Sequence, residues 1–287
     1  MVTFFATARP FRGHMGIIQT NAIRSWLALC PPCEILLLGD DEGTSDIAKE
    51  LGLRHFPDID RNEFGTPLIS SLFQTAEDAA RHELLCQINA DIMLTDDFLP
   101  AIDRIRSLRS KFLIAGRRWD LDIEKPWDFE DPNWQAKLRR HSVEHGTLHP
   151  PFGLDYFVFP KGLWGELPPF AIGRQVLDNW LIYAARSRRV PVIDASAAIT
   201  AIHQNHDYSY HPEGERGIKV GLEARRNREL AGSSEHLFDL WDATHLLDDS
   251  GLKRALTWTH LRKRLYRMPF MRSALEALRS ISGGRRE

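Results

Sequence analysis

The amino-acid sequence predicts an α/β protein with a mostly parallel, Rossmann-like sheet flanked by helices on both faces. Residues 1–211 carry this unit, and residues 212–287 form a helical, basic C-terminal extension. Strand and helix patterns alternate through the first 120 residues, which implies crossover connections between parallel neighbours. The strand candidates are continuous apolar runs, as burial on both faces requires. After Pro212 the chain turns polar and helix-forming, which sets the boundary.

The first strand is "VTFFATA", followed by the turn "RPFRGHMG" and the helix "IIQTNAIRSWLAL". "EILLLGDD" is the second strand, and Thr44 and Ser45 cap the helix "TSDIAKELGL" after it. A short third strand, "LRHFPDID", precedes the helix "PLISSLFQTAEDAARH", where Pro67 suits a first helical turn. "ELLCQINADIML" is the fourth strand, "FLPAIDRIRSL" a helix and "KFLIAGRRW" a fifth strand. Residues 119–151 are charged and aromatic and read as a long surface loop. "DYFVFPKGLW" restores a strand. In the next helix, "GRQVLDNWLIYAARSRR", Val176, Leu177, Trp180, Leu181 and Ala184 share one face. "VPVIDASAAITAIHQNH" is strand-rich.

Bulk properties narrow the function. The formal charge of −2 gives no global reason to expect nucleic acid. The opening "MVTFFATARPF" resembles neither a signal peptide nor a membrane span, so a cytoplasmic protein is expected. Cys30-Pro-Pro-Cys33 has no second pair and does not open a helix, so Cys30, Cys33 and Cys86 are expected to be reduced.

In open α/β sheets ligands bind beyond the carboxyl ends of the strands. The sequence puts Thr7, Arg9 and Arg12 after the first strand, Asp40 and Asp41 after the second, Asn89-Ala90-Asp91 after the fourth, and Arg117 and Arg118 after the fifth. Guanidinium groups suit phosphate oxygens. A strand-end aspartate accepts from ribose or base, and a carboxylate beside phosphates seats a divalent cation. Together these describe a nucleotide-diphosphate site, although none is specific alone and a strand-end aspartate is more often a turn cap. The GxGxxG and GxxxxGK[ST] patterns are absent from the sequence, which disfavours the common dinucleotide and P-loop folds.

The order of "FFATARPF", "EILLLGDDEG", "QINADIML", "FGLDYFVFPKGLW", "GRQVLDNWLIYAA" and "ITAIHQNHDY" resembles nucleotide-sugar glycosyltransferases of the GT-A fold, family 2-like, over roughly residues 1–211. The resemblance implies transfer of a sugar from a nucleotide-diphosphate sugar to a hydroxyl acceptor, assisted by Mn²⁺ or Mg²⁺. In that family a D-x-D motif holds the metal. Here Asn89 replaces the first aspartate, and Asp91 matches the one that usually ligates. By the same resemblance Thr7, Arg9, Asp40 and Thr66 belong to the donor site, with Asn89 at the ribose. Asp178 matches the general base of inverting members, and Asp155, Tyr156 and Asn179 would meet the acceptor. His206, with His203 as the other candidate, would add a metal ligand. Plainer readings stand beside these: Thr66 as a helix cap, Asp178 as a solvated helix residue, Tyr156 as core. A sugar-nucleotide synthase, or an inactive GT-A module that binds sugar or partners, are the alternatives.

From Gly251 onward there are ten Lys/Arg against two Glu. Apolar residues from Trp258 to Ile281 recur every three or four positions, with Pro269 expected to split two helices. Two readings follow. The helices lie on an anionic membrane surface, which suits a lipid-linked acceptor, or they pack on the catalytic unit.

Overall fold

Helices carry the chain back to the same end of the sheet, so most neighbouring strands run parallel. The computed structural model describes residues 1–105, 111–208 and 213–268. In chain order the elements are β1 (Val2–Thr7), α1 (Gly13–Leu27), β2 (Glu34–Leu38), α2 (Thr44–Glu50), β3 (Arg54–Phe56), α3 (Ile69–Ala79), β4 (Leu84–Ile88), β5 (Ile92–Leu94) and α4 (Phe98–Arg104). There follow β6 (Leu113–Ala115), β7 (Trp119–Leu121), α5 (Trp134–His145), β8 (Thr147–Leu148), β9 (Tyr156–Pro160), α6 (Leu177–Ser187), β10 (Val192–Asp194) and β11 (Ala201–Gln204). The last described elements are α7 (Gly214–Val220), α8 (Leu222–Ala231), β12 (His245–Asp248), β13 (Gly251–Arg254) and α9 (Trp258–Arg267).

The main sheet has the order β13-β12-β10-β6-β9-β4-β1-β2-β3. Among the described residues, β9 and β13 alone run against their neighbours in it. A second sheet, β5-β11-β7-β8, starts just past β4 and carries β11. Successive side chains of a strand point to opposite faces, and β1 buries both. Phe4 joins Trp26 and Phe98 on one face; Phe5 joins Phe73 and Phe159 on the other. This two-sided burial is why the strands read as unbroken apolar runs.

Two stretches differ from the sequence expectation. Residues 119–151 are not a plain loop but hold β7, α5 and β8. In α5 only Trp134, Leu138 and Ser142 are buried, a stripe too narrow to stand out among charges. The segment after residue 211 is helical in α7, α8 and α9, but it also contributes β12 and β13. β12 joins the sheet by backbone pairing with β10, so the extension continues the sheet of residues 1–211, and four-residue strands leave little pattern to read. The three cysteines are free thiols, exposed at Cys30, half-buried at Cys33 and buried at Cys86. Pro212 and the tail pattern from Pro269 onward lie outside the described residues.

Candidate active site

The strand order reverses its direction of winding between β1 and β4, the position where open sheets bind ligands. A cleft of about 190 Å³ opens there. Thr7 and Arg9 line it from the end of β1, Thr66 from the approach to α3, and Asn89 and Asp91 from the end of β4. Asp41, Arg61 and Arg174 line it too, and no sequence pattern singles out the two arginines. Asp40 stays outside the lining, with its side chain 68% exposed and paired to Arg61 at 2.7 Å. Arg61 also donates to Asp41 at 2.8 Å. Gly39 makes room for this: at φ +96° it suits glycine, and a Cβ there would stand 3.3 Å from both Arg61 Nη2 and Thr7 Oγ1. Arg174 donates to Glu223 of α8 at 2.8 and 2.5 Å and to Thr66 Oγ1 at 3.2 Å. The C-terminal segment therefore fixes one wall of the cleft.

Asp91, which lines the cleft, converges with His203 and His206, with one ligand atom from each within 4.8 Å of the others. His206 Nε2 lies 3.3 Å and His203 Nε2 3.8 Å from Asp91 Oδ2. Burial opposes the charge of Asp91, but both histidines and Arg118 outweigh it and hold the carboxyl well below the ordinary carboxylate range. Asp91 in turn raises His206, against the effect of burial. Asp91 Oδ1 is buried with no hydrogen-bond partner among the described residues, a costly arrangement unless something else binds it. One carboxylate and two imidazoles form a donor set that fits a divalent cation, and the imidazoles suit Mn²⁺ better than Mg²⁺.

A second layer orients these groups. His203 Nδ1 faces Asp120 Oδ1 at 3.5 Å, and Asp120 also holds His149 Nδ1 at 2.6 Å and accepts from Arg118 Nε at 2.9 Å. A histidine placed between a metal position and a carboxylate is a recurrent support for ligation. Nothing in the sequence flagged Asp120 or His149, because both lie in the stretch read as loop. Arg118 Nη1 donates to Asp155, whose other oxygen accepts from Asn89 Nδ2 at 2.7 Å.

Asp178 sits in the first turn of α6, half-buried and near Asp155. Burial and then the charge of Asp155 push its carboxyl up to about 8, against the pull of Arg118. Val176, just before α6, takes φ 79°. A β-branched residue is strained there, a feature that clusters at functional sites. Two expected acceptor residues face elsewhere. Asn179 Nδ2 donates to Phe238 O at 2.8 Å. Tyr156 is fully buried in the core, its hydroxyl against Gly116.

No family model matches the chain, and no curated protein matches it. Among solved structures it is similar to glucosyl-3-phosphoglycerate synthase from Mycobacterium tuberculosis in complex with Mg²⁺ and uridine-diphosphate. Identity is 12%, over 80% of this chain and 77% of that one, with a TM-score of 0.46. The same enzyme with Mn²⁺, uridine-diphosphate and glucosyl-3-phosphoglycerate gives 13% identity over 80% and 78%, with a TM-score of 0.47. TarS 1-349 of S. aureus in complex with UDP-GlcNAc gives 13% identity over 42% and 35%, with a TM-score of 0.33.

Proposed function

We propose that this protein is a GT-A-type glycosyltransferase that moves a sugar from a nucleotide-diphosphate donor to a hydroxyl acceptor, with inversion. The observation that carries the reading is the meeting of Asp91, His203 and His206 at the winding reversal, beside a cleft lined by Arg9, Arg61 and Arg174. Asp91, His203 and His206 would hold Mn²⁺ or Mg²⁺, which supplies neutralising charge for a departing diphosphate. Arginine forks bind and orient the phosphates. Thr7 and Asn89, which line the cleft, would meet the nucleoside. Asp178, with its pKa near 8, would take the proton of the acceptor hydroxyl as it attacks the sugar carbon. We also read the acceptor as a carbohydrate or a lipid-linked molecule. No helix among the described residues is long and apolar enough to cross a membrane.

The test is a thermal-shift screen of nucleoside diphosphates and sugar nucleotides with and without Mn²⁺, followed by assay of product. A ligand at about a hundred times its Kd stabilises the folded state by about 2.7 kcal/mol. A shift that requires Mn²⁺ and is lost in Asp91→Ala, with release of nucleoside diphosphate, is the expected result. Pyrophosphate released from a nucleoside triphosphate would instead mark a sugar-nucleotide synthase. Binding without turnover, indifferent to Asp91→Ala, would mark an inactive module.

A further inference from the structure

A surface helix held by hydrophobic burial turns its apolar stripe inward. α9 does the reverse. Its polar side packs on the protein: Lys263 Nζ meets Asp239 at 2.6 Å, and Arg267 reaches Asp242 at 3.2 Å while lying 4.0 Å over the Phe238 ring. His260 is buried on that side. The apolar side faces outward, with Trp258 75%, Leu261 37%, Leu265 42% and Met268 52% exposed. Their spacing of three and four residues makes one continuous stripe. Leu256 and Trp241 are also exposed, and Lys263 Nζ lies 5.7 Å from the Trp241 ring. The inner face is therefore fastened by ions, and the outer face is left for something apolar.

We propose that α9 is an interfacial helix that docks the protein on the surface of an anionic lipid bilayer. Exposed Lys253, Arg254 and Arg262 accompany the stripe, and the chain from Gly251 onward has ten basic against two acidic residues. Apolar burial in the headgroup boundary together with attraction to anionic headgroups is the physics of such helices. A second copy of the same helix would bring basic residues against basic residues, so charge complementarity favours lipid. The docking goes beyond sugar transfer and stands on the geometry of α9 alone, so its test needs no activity measurement.

The full-length protein is sedimented with phosphatidylcholine vesicles, with and without phosphatidylglycerol, at low and high salt. Docking predicts sedimentation with the anionic vesicles that weakens as salt rises. The triple change Trp258→Ser, Leu261→Ser, Leu265→Ser lowers the partition coefficient by about tenfold or more, and Arg262→Ala lowers it by about fivefold. All four side chains are exposed, so an unchanged melting midpoint and a retained nucleotide-dependent shift keep the loss interpretable. Equal or absent sedimentation with both vesicle types overturns the proposal, as does a triple variant that binds like the parent. Light scattering that finds a lipid-free dimer dissolved by the triple change also overturns it, in favour of a second copy on the stripe.

Discussion

Replacing Asp178 with asparagine separates catalysis from stability. The folded carboxyl stands near 8 against an ordinary 3.8, so between those values the folded state holds a proton that the unfolded state has released. Stability contributed by this group therefore falls as pH rises through that window. At 1.36 kcal/mol per unit, the cost is about 2 kcal/mol at about pH 5.5 and about 5 kcal/mol at about pH 8. Solvent at the half-buried carboxyl scales both figures down, so they are upper limits. Asp178→Asn removes the titration. Urea unfolding should find the variant more stable than the parent, by a margin that widens by up to about 3 kcal/mol from about pH 5.5 to about pH 8. Activity should move the opposite way. A base of pKa about 8 is about one-tenth ionised at neutral pH, so kcat/KM of the parent should climb with pH through that value. The variant should lose about 10²- to 10⁴-fold. A margin that is flat across pH would mean that Asp178 is already ionised in the folded protein and would refute the raised pKa, while a variant with unchanged kcat/KM would remove Asp178 as the base.

Asp120→Asn should weaken Mn²⁺ binding by about 10- to 100-fold through loss of the charge that orients His203, as measured by calorimetric titration. Unchanged affinity would remove Asp120 from the support of the site. Glu223→Ala leaves Arg174 unpaired, although both side chains are only 7% exposed in the parent. The cost should be about 3–5 kcal/mol in urea unfolding, and a loss below about 1 kcal/mol would put that pair among solvated surface contacts.

The parts of the site that could be read in the sequence are those that violate a local rule. Asp91 stands out because it interrupts a strand's apolar run, and His203 and His206 because a strand end turns abruptly polar. Arg174 breaks no local rule. It reaches the cleft because Glu223, 49 residues later on α8, holds it there, and no pattern around either residue encodes that meeting. Tyr156 illustrates the opposite error. The resemblance groups it with Asp155 on the acceptor side. Neighbours on a strand point to opposite faces, so Asp155 beside Asn89 implies Tyr156 in the core, where it lies. The α/β alternation was legible because burial on both faces writes each strand as an apolar run. β12 and β13 were not, because an edge hairpin is fixed by backbone pairing rather than by composition.

Asn89 is the remaining departure from the resemblance, and its surroundings account for it. Asn89 Nδ2 donates to Asp155 Oδ1 at 2.7 Å, while Arg118 takes the other Asp155 oxygen. Asp178 already bears on Asp155 as a like charge, and Arg118 also serves Asp120. An aspartate at 89 would set two carboxylate oxygens against each other at a hydrogen-bond distance. One of the pair must then stay protonated or be expelled. Asn89→Asp should therefore lower stability at neutral pH by about 1–3 kcal/mol. The loss should be recovered as pH falls through the raised carboxylate, because protonation restores a donor to the pair. Mn²⁺ affinity should not improve, since the new charge is spent against Asp155 rather than aimed at the Asp91 position. Tighter Mn²⁺ binding at unchanged stability would show instead that Asn89 is a metal ligand weakened by one charge, and that Asp155 yields readily to its neighbour.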